Sequence, residues 1–266
     1  RSRGLGDVYK RQVENTIKLI DEGNTIPFIA RYRKEATGGL SDEILRDLGE
    51  RLTYLRNLET RKGEIIKSID EQGKLTDELT IAIASAETLA EVEDLYRPFK
   101  QKKKTRATVA KAKGLEPLAN LILLQMTNEP LEKEAKAFIN EEKDVKTVED
   151  ALKGANDIIA EHIADDAEYR TWIRKATWDH GKITSTAKKP DESSVFEMYY
   201  DFEEPIKKIA GYRILAINRG EKEGILQVKI EPDMQKIASY LARKIVTKKN
   251  PNTTKALFAA IEDSYK

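Results

Sequence analysis

Apolar residues recur every three or four positions between Ile44 and Ile69, and this pattern constrains the fold more than any other feature of the chain. Such spacing places the side chains on one stripe of a helix, which has to be buried against other elements. Ser41 is suited to cap the start of this helix and Gly73 to end it, which predicts about 33 residues and a length of about 50 Å. Gly63 lies inside the helix and allows a bend there. We therefore expect a long spine helix against which shorter helices pack.

Most of the remaining sequence also shows helical periodicity. Charged residues make up 35% of the chain and aromatic residues only 7%, a balance that favours helix over sheet. Two short segments, 182–187 and 225–231, have a different pattern. Their apolar and β-branched residues alternate with polar ones or lie next to one another, as they do in β-strands. The sequence therefore predicts a mainly α fold: an elongated multi-helix assembly with a helix-turn-helix-like start and minor short β elements.

The chain is expected to contain two structured regions after a short leader. Residues 1–12 have neither an initiator Met nor an apolar signal-peptide core, so we interpret them as a leader or truncation scar outside the fold. Residues 13–180 form the N-terminal helical region in this interpretation. Residues 181–266 form a central helical region with the short strands.

Charge and composition restrict the chemistry that is available to the chain. The 47 basic and 46 acidic residues nearly cancel, so only a local cationic patch could attract nucleic acid. The chain has no cysteine, which excludes disulfides and thiolate sites and fits a reducing cytoplasm. His162 and His180 are the only histidines and lack further ligands at metal-binding spacing. We therefore expect no metal, no cofactor, no membrane span and no enzymatic activity.

The densest cationic run follows Pro98 and leads into a predicted helix. Amides at a helix start that are flanked by cations suit a phosphate group, and each phosphate contact adds salt-dependent affinity. The alternative is a solvated basic linker with no ligand. The candidate nucleic-acid contacts in this run are Lys100, Lys102, Lys103, Lys104, Arg106 and Lys111, with Lys113 as a possible extension.

A second cationic group consists of Arg31, Arg33 and Lys34, which surround Tyr32. One interpretation is that these side chains contact the backbone of a nucleic acid from a helix-turn-helix-like unit. The other interpretation, which we favour from the sequence, is structural. In it Tyr32 packs into the protein and the cations pair with Glu35 or with acids of the spine helix.

The aromatic residues between Phe196 and Phe202 have two possible roles as well. They could stack on unpaired bases. Because acidic residues that would repel a phosphate backbone lie among them, we expect these aromatic side chains to form part of a core instead.

Four stretches of the chain resemble the Tex family of bacterial transcription accessory proteins. The resemblance covers the chain from about Val13 to the C-terminus, and the combination of the four stretches is more specific than any single one. They are TIPFIARYRKE at 25–35 with TGGL at 37–40, EDLY at 93–96 with the basic run that leads into Thr105, GLEPLA at 114–119, and FEEPI at 202–206 with RGEKEG at 219–224.

The resemblance implies a modular nucleic-acid-binding protein that is related to a eukaryotic transcription elongation factor. It implies a helical start with a helix-turn-helix-like unit, followed in longer members by an RNase H-like domain, a helix-hairpin-helix unit and an oligonucleotide-binding barrel. We expect the present sequence to end before those parts, so that it binds RNA or DNA only weakly. The alternative is a scaffold that docks on the transcription machinery without touching nucleic acid.

Overall fold

The computed structural model describes residues 2–100 and 104–265, with side chains from Val8 onward. The chain divides into two compact units, Arg1–Glu93 and Asp94–Lys266. This division lies far from the boundary after residue 180 that the sequence suggested. Among the described residues, no helix combines the length and the apolar character that crossing a membrane requires.

The first unit consists of helices that follow one another closely in sequence. These helices are α1 (Ser2–Asp21), α2 (Ile26–Tyr32), α3 (Lys34–Thr37), α4 (Asp42–Asp70), α5 (Asp77–Ser85) and α6 (Leu89–Tyr96). The last three residues of α6 lie beyond Glu93 and belong to the second unit.

Helix α4 is the predicted spine helix and is 29 residues long. The Ser41 hydroxyl caps it by accepting a hydrogen bond from the backbone N–H of Ile44 at 3.3 Å. Leu58 and Ile69 of the apolar stripe are buried, which confirms the predicted periodicity. Leu55 of the same stripe is exposed, so the buried face of the helix is narrower than the sequence pattern.

Helix α1 begins at Ser2, so residues before Val13 belong to it. The side-chain amide of Asn15 donates to the carbonyl oxygen of Ala36 at 2.9 Å, and that of Gln12 reaches the carbonyl oxygen of Gly38 at 3.4 Å. These bonds hold α1 against the turn after α3. The interpretation of residues 1–12 as a leader outside the fold was therefore wrong for residues 2–12. Polar side chains rather than an apolar stripe attach this part of the helix, and the sequence pattern does not reveal such contacts.

The second unit contains the remaining helices and one antiparallel sheet. Short 3-10 turns lie at Arg97–Phe99, Lys136–Phe138, Glu141–Lys143 and Glu197–Tyr199. The regular elements are α7 (Arg106–Ala112), α8 (Glu116–Leu124), α9 (Leu131–Ala135), α10 (Val148–Asp165), α11 (Ala167–His180), β1 (Lys182–Ala187), β2 (Asp201–Pro205), α12 (Gly211–Lys222), β3 (Leu226–Glu231), α13 (Met234–Ile245) and α14 (Pro251–Ser264).

Helix α10 is the centre of the larger core and packs against α7, α8 and α14. Thr147 begins it with a capping box in which Thr147 and Asp150 satisfy each other's backbone N–H groups. In its middle, Gly154 faces Leu115 so closely that a Cβ atom would lie 2.3 Å from the Leu115 Cδ1 atom. The close packing of these helices therefore requires a glycine at this position.

The sheet has the strand order β2-β1-β3, with β1 antiparallel to both neighbours. Ser185 in β1 lies opposite Phe202 and Val228, on the face that the aromatic cluster covers. Phe196 and Tyr199 are buried there with Ile217 and Leu226, so their predicted place in a core is confirmed.

The two predicted strands correspond to β1 and β3, which confirms the minor β elements. The sequence analysis did not predict strand β2, because a proline such as Pro205 also suits the first turn of a helix. Pro205 instead ends β2, and helix α12 begins only at Gly211.

A buried carboxylate joins α6 to α11 within the second unit. The Asp94 side chain is 5% exposed and accepts hydrogen bonds from Arg170 Nε at 2.7 Å and Arg174 Nη2 at 2.6 Å. Nearby, Arg97 Nε donates to Asp165 Oδ1 at 2.8 Å. Two carboxylates and three guanidinium groups thus compensate one another, which reduces the cost of burying Asp94.

Tyr265 lies near this cluster, and its hydroxyl oxygen is buried without a hydrogen-bond partner among the described residues. Burial raises the pKa of Tyr265 from 10.0 to about 12, and the Arg170 guanidinium acts in the opposite direction. The unfolded chain releases the phenol proton near pH 10, whereas the folded protein holds it up to about pH 12. Stability from this group is therefore complete below pH 10 and is lost as the pH rises towards 12.

We expect Tyr265→Phe to remove this alkaline loss. At pH 8 the variant should be as stable as the wild type or slightly more stable, because it lacks a buried unpaired hydroxyl group. Between pH 8 and pH 11 the wild type should lose roughly 1 kcal/mol or less relative to the variant, because Tyr265 is only partly buried and solvent screens part of the effect. Urea unfolding at both pH values measures the difference, and identical pH dependence of the two proteins would contradict the assignment.

Candidate nucleic-acid interface

The Arg31, Arg33 and Lys34 side chains lie at the end of α2 and the start of α3. Pro27 lies in the first turn of α2, where the helix needs no N–H donor from it. Ile29 is the only buried residue of this seven-residue helix. Because one side chain anchors the helix, the others project into solvent, and the three cations are exposed.

Aromatic rings lie among these cations. The Phe28 and Tyr32 rings are in contact, with centroids 5.2 Å apart. The Arg33 guanidinium lies 5.7 Å from the Phe28 ring centroid, and the Arg31 guanidinium lies 6.0 Å from that of Tyr32. Tyr32 is 62% exposed, so the expectation that it packs into the protein was wrong. We call Phe28, Arg31, Tyr32, Arg33 and Lys34 the α2 patch.

The cations of the α2 patch keep their charge available to a ligand. Within residues 8–100 and 104–265, no carboxylate lies within 4.0 Å of Arg31, Arg33 or Lys34. The predicted pairing with Glu35 or with acids of α4 is therefore absent there. Exposed arginines beside an exposed ring can contact phosphates while the ring stacks on a base.

The other predicted cationic run lies in the second unit. Lys102 and Lys103 are outside the described residues, whereas Lys100 and Lys104 are exposed. Arg106 points to two carboxylates, with 3.3 Å from its Nη1 atom to Asp157 Oδ1 and 2.8 Å from its Nη2 atom to Asp263 Oδ2. Arg106 is thus used within the protein.

The environment of Arg106 agrees with an internal role. Burial raises the pKa of Asp157, while the Arg106 guanidinium acts in the opposite direction. The start of α7 carries a capping box in which Thr105 and Thr108 satisfy each other's backbone N–H groups. Two of the N–H groups that the sequence offered to a phosphate are therefore already bonded to side chains of the protein.

The cations further along α7 also have partners. Lys111 Nζ lies 4.0 Å from Glu116 Oε1. Lys113 donates to the Asp144 carboxylate at 3.1 Å and to its carbonyl oxygen at 2.8 Å. The Lys113 ammonium group lowers the pKa of the Asp144 carboxyl. Lys100 and Lys104 have no carboxylate partner among the described residues, whereas Arg106, Lys111 and Lys113 do. Of the two predicted clusters, the α2 patch is therefore the one in which every described cation lacks such a partner.

One cationic region was not predicted from the sequence. Between residues 234 and 261 the chain has six basic residues and no acidic one, although the whole protein is nearly neutral. This acid-free segment forms α13 and most of α14, and two of its cations, Lys236 and Arg243, line a groove beside α11. Counting the local charge in a sliding window would have found it.

Comparison with known proteins shows which family the chain belongs to. A model described as the Tex-like protein N-terminal domain matches residues 4–70, and one described as Tex central region-like matches residues 126–261. The chain belongs to the Tex family. The N-terminal Tex match includes most of the segment that the sequence analysis set apart as a leader, and it includes the α2 patch.

The chain is also similar to individual proteins over most of its length. An uncharacterized protein YdcI of Bacillus subtilis is 50% identical over 97% of the chain and 36% of its own length. The transcriptional accessory protein Tex of Neisseria gonorrhoeae is 43% identical over 84% of the chain and 30% of its own length. The human S1 RNA-binding domain-containing protein 1 is 31% identical over 95% of the chain and 26% of its own length. The chain thus spans about a third or less of the length of these relatives.

Proposed function

We propose that this chain is a non-enzymatic, nucleic-acid-binding part of a bacterial transcription accessory protein and that it binds RNA or DNA through the α2 patch. The observation that carries the proposal is the combination of three cations without carboxylate partners among the described residues and an exposed tyrosine ring. The relatives support the class of ligand, because the name of one refers to transcription and that of another to RNA binding.

The mode of binding that we propose is contact with phosphates and stacking on a base. Helix α3 has only four residues, which is too short for the recognition helix of a helix-turn-helix unit in a major groove. Arginines can contact successive phosphates, while Tyr32 offers a flat face that accepts any base. Binding should therefore depend strongly on salt and only weakly on sequence, and no small-molecule substrate is needed.

The first test removes two charges from the α2 patch. We expect Arg31→Ala/Arg33→Ala to weaken binding of a fluorescent single-stranded oligonucleotide by roughly 10-fold at 0.1 M salt. The slope of log K against log salt should fall by about 1.4, since each phosphate contact on a single strand contributes about 0.7. Fluorescence anisotropy across a salt series measures both quantities. Tyr32→Ala should weaken binding with little change in slope.

A matched control removes the same charge from the same unit. Arg46 and Arg56 are exposed, but each is paired with a carboxylate at 2.8 Å and 2.7 Å respectively. Arg46→Ala/Arg56→Ala should therefore change oligonucleotide affinity by no more than about 2-fold. Equal losses in both double variants would show that only net charge matters, and the α2 patch would then have no special role.

A protein-docking scaffold is the second candidate function, and the exposed face of α12 favours it. Tyr212 and Leu215 are three positions apart on this helix and are 67% and 72% exposed. Large exposed side chains at that spacing are typical of a helix that meets a protein partner. Capture of polymerase subunits that persists after nuclease treatment and is lost in Tyr212→Ala/Leu215→Ala would support this function instead.

A further inference from the structure

Helices α11 and α13 border an open groove of about 610 Å³ in the second unit. On α11 the lining side chains include Trp172 and Lys175, and on α13 they include Lys236 and Arg243. Lys236 and Arg243 are seven positions apart, which places them on the same face of the helix about 10 Å from each other along its axis. The groove therefore has cations along both walls.

The charges in this groove do not cancel locally. Asp179 binds Lys207 Nζ at 2.6 Å, and the Asp233 carboxylate caps α13 by accepting from the backbone N–H of Lys236 at 3.0 Å. Both acids are thus used by the protein. By contrast, no carboxylate within the described part of the chain lies within 4.0 Å of the Lys175, Lys236 or Arg243 cationic groups.

The acid-free segment explains why Lys236 and Arg243 have no carboxylate partner. Helix α13 and the following turn belong to this segment, and Asp233, the acidic residue just before it, directs its carboxylate to the backbone at the start of α13. Lys244, on another face of α13, does find a partner and donates to Glu168 at 2.7 Å. The unpaired cations are therefore concentrated on the side of α13 that faces the groove.

An aromatic side chain of the α11 wall also lines the groove. The Trp172 ring stacks on Tyr240 with centroids 3.8 Å apart and planes 4° apart, which fixes its orientation. Tyr240 is buried, whereas Trp172 is partly exposed and lines the groove. A flat ring in a groove that is also lined by cations is the arrangement found where proteins bind single strands of nucleic acid.

We infer that the α11–α13 groove is a second binding site for single-stranded nucleic acid, with Lys175, Lys236 and Arg243 at the phosphates. It lies in the second unit and does not use the α2 patch, although its class of ligand rests on the proposed function. The three cations along the two walls can contact two or three successive phosphates of one strand. The groove thus adds affinity for a strand through contacts that do not depend on base sequence.

Tryptophan fluorescence tests occupancy of the groove directly, because the chain has only two tryptophans. Trp178 is exposed and is not part of the groove lining, so Trp178→Phe leaves Trp172 as the single reporter. We expect a 12-nucleotide oligothymidine to quench or shift the emission of this variant in a saturable way. The converse variant, Trp172→Phe, should show a clearly smaller change.

Charge variants then test which side chains bind the strand. Lys175→Ala/Lys236→Ala/Arg243→Ala should weaken binding of the oligothymidine by roughly 10-fold or more at 0.1 M salt and lower the salt slope by about 2. Lys133→Ala/Lys189→Ala/Arg219→Ala removes the same charge from the same unit. Each of its cations is exposed and paired with a carboxylate, so a change of at most about 2-fold is expected.

The outcomes separate this site from the α2 patch. If the oligothymidine binds and depends on Arg31 and Arg33, but leaves Trp172 emission unchanged, the groove is empty and only this inference fails. If Trp172 responds but the Arg31/Arg33 variant binds normally, the α2 patch fails and the groove stands. A 12-residue polyglutamate peptide that quenches Trp172 as strongly as the oligothymidine would overturn the assignment to nucleic acid.

Discussion

Asp94→Ala should destabilise the second unit by about 3 kcal/mol, because it leaves two guanidinium groups without their shared carboxylate. Breaking a buried ion pair by removing one partner typically costs 3–5 kcal/mol. The lower end applies here, since Arg174 is about half exposed and water can solvate it after the change. Asp94→Asn keeps the shape of the side chain and should lose about half as much.

Both tryptophans lie on α11, the helix that also carries Arg170 and Arg174, so their fluorescence reports unfolding of the second unit. Urea titration of wild type, Asp94→Ala and Asp94→Asn then gives the three free energies of unfolding. Glu223→Ala is the control, because Glu223 forms an exposed pair with Arg219 at 2.9 Å and should contribute less than about 0.5 kcal/mol. Similar small losses in all variants would mean that Asp94 is not a buried anchor.

Gly154→Val should also cost roughly 3 kcal/mol, in this case through steric overlap. A Cβ atom at Gly154 would lie 2.3 Å from Leu115 Cδ1 and 3.3 Å from the Ala110 Cβ atom. Leu115 is buried, so its side chain has little room to move away. Overpacking of this kind costs about 1–3 kcal/mol, and a β-branched residue inside a helix adds to that cost.

The matched control for Gly154 is Gly211, the first residue of α12, where an added Cβ atom meets nothing within 4 Å. Gly211→Val should change the free energy of unfolding by less than about 0.5 kcal/mol. A double-mutant cycle with Leu115→Ala checks the cause, because the shorter side chain makes room for the valine. A favourable coupling of about 1 kcal/mol or more is expected, and strictly additive losses would argue against the contact.

The parts of the fold that the sequence predicted are those whose signals lie close together in the chain. The cap at Ser41 and the stripe that includes Leu58 and Ile69 identify α4 without reference to any other segment. Strand β2 was missed because its residues become a strand only by pairing with β1, about twenty positions earlier. In the sequence, Pro205 reads equally well as the first residue of a helix.

The candidate sites show the same limit at the level of single side chains. Arg106 has the surroundings of a phosphate ligand in the sequence, and Asp263, which binds it, is 157 positions away. Arg31 and Arg33 have acids nearby in the sequence, yet the fold leaves them without a carboxylate partner among the described residues. Which cations are neutralised is decided by the packing of distant elements, and a local pattern does not contain that information.

The packing of α10 against α14 has a consequence for how the protein is made. The first unit is built from helices within Arg1–Glu93 and can therefore fold on the ribosome while later residues are still being added. The second unit places α10 between helices that precede it and a helix that begins only at Pro251. The part of its apolar face that α14 covers must therefore stay open until the residues after Pro251 have emerged from the exit tunnel, which makes nascent α10 a segment for chaperones to shield.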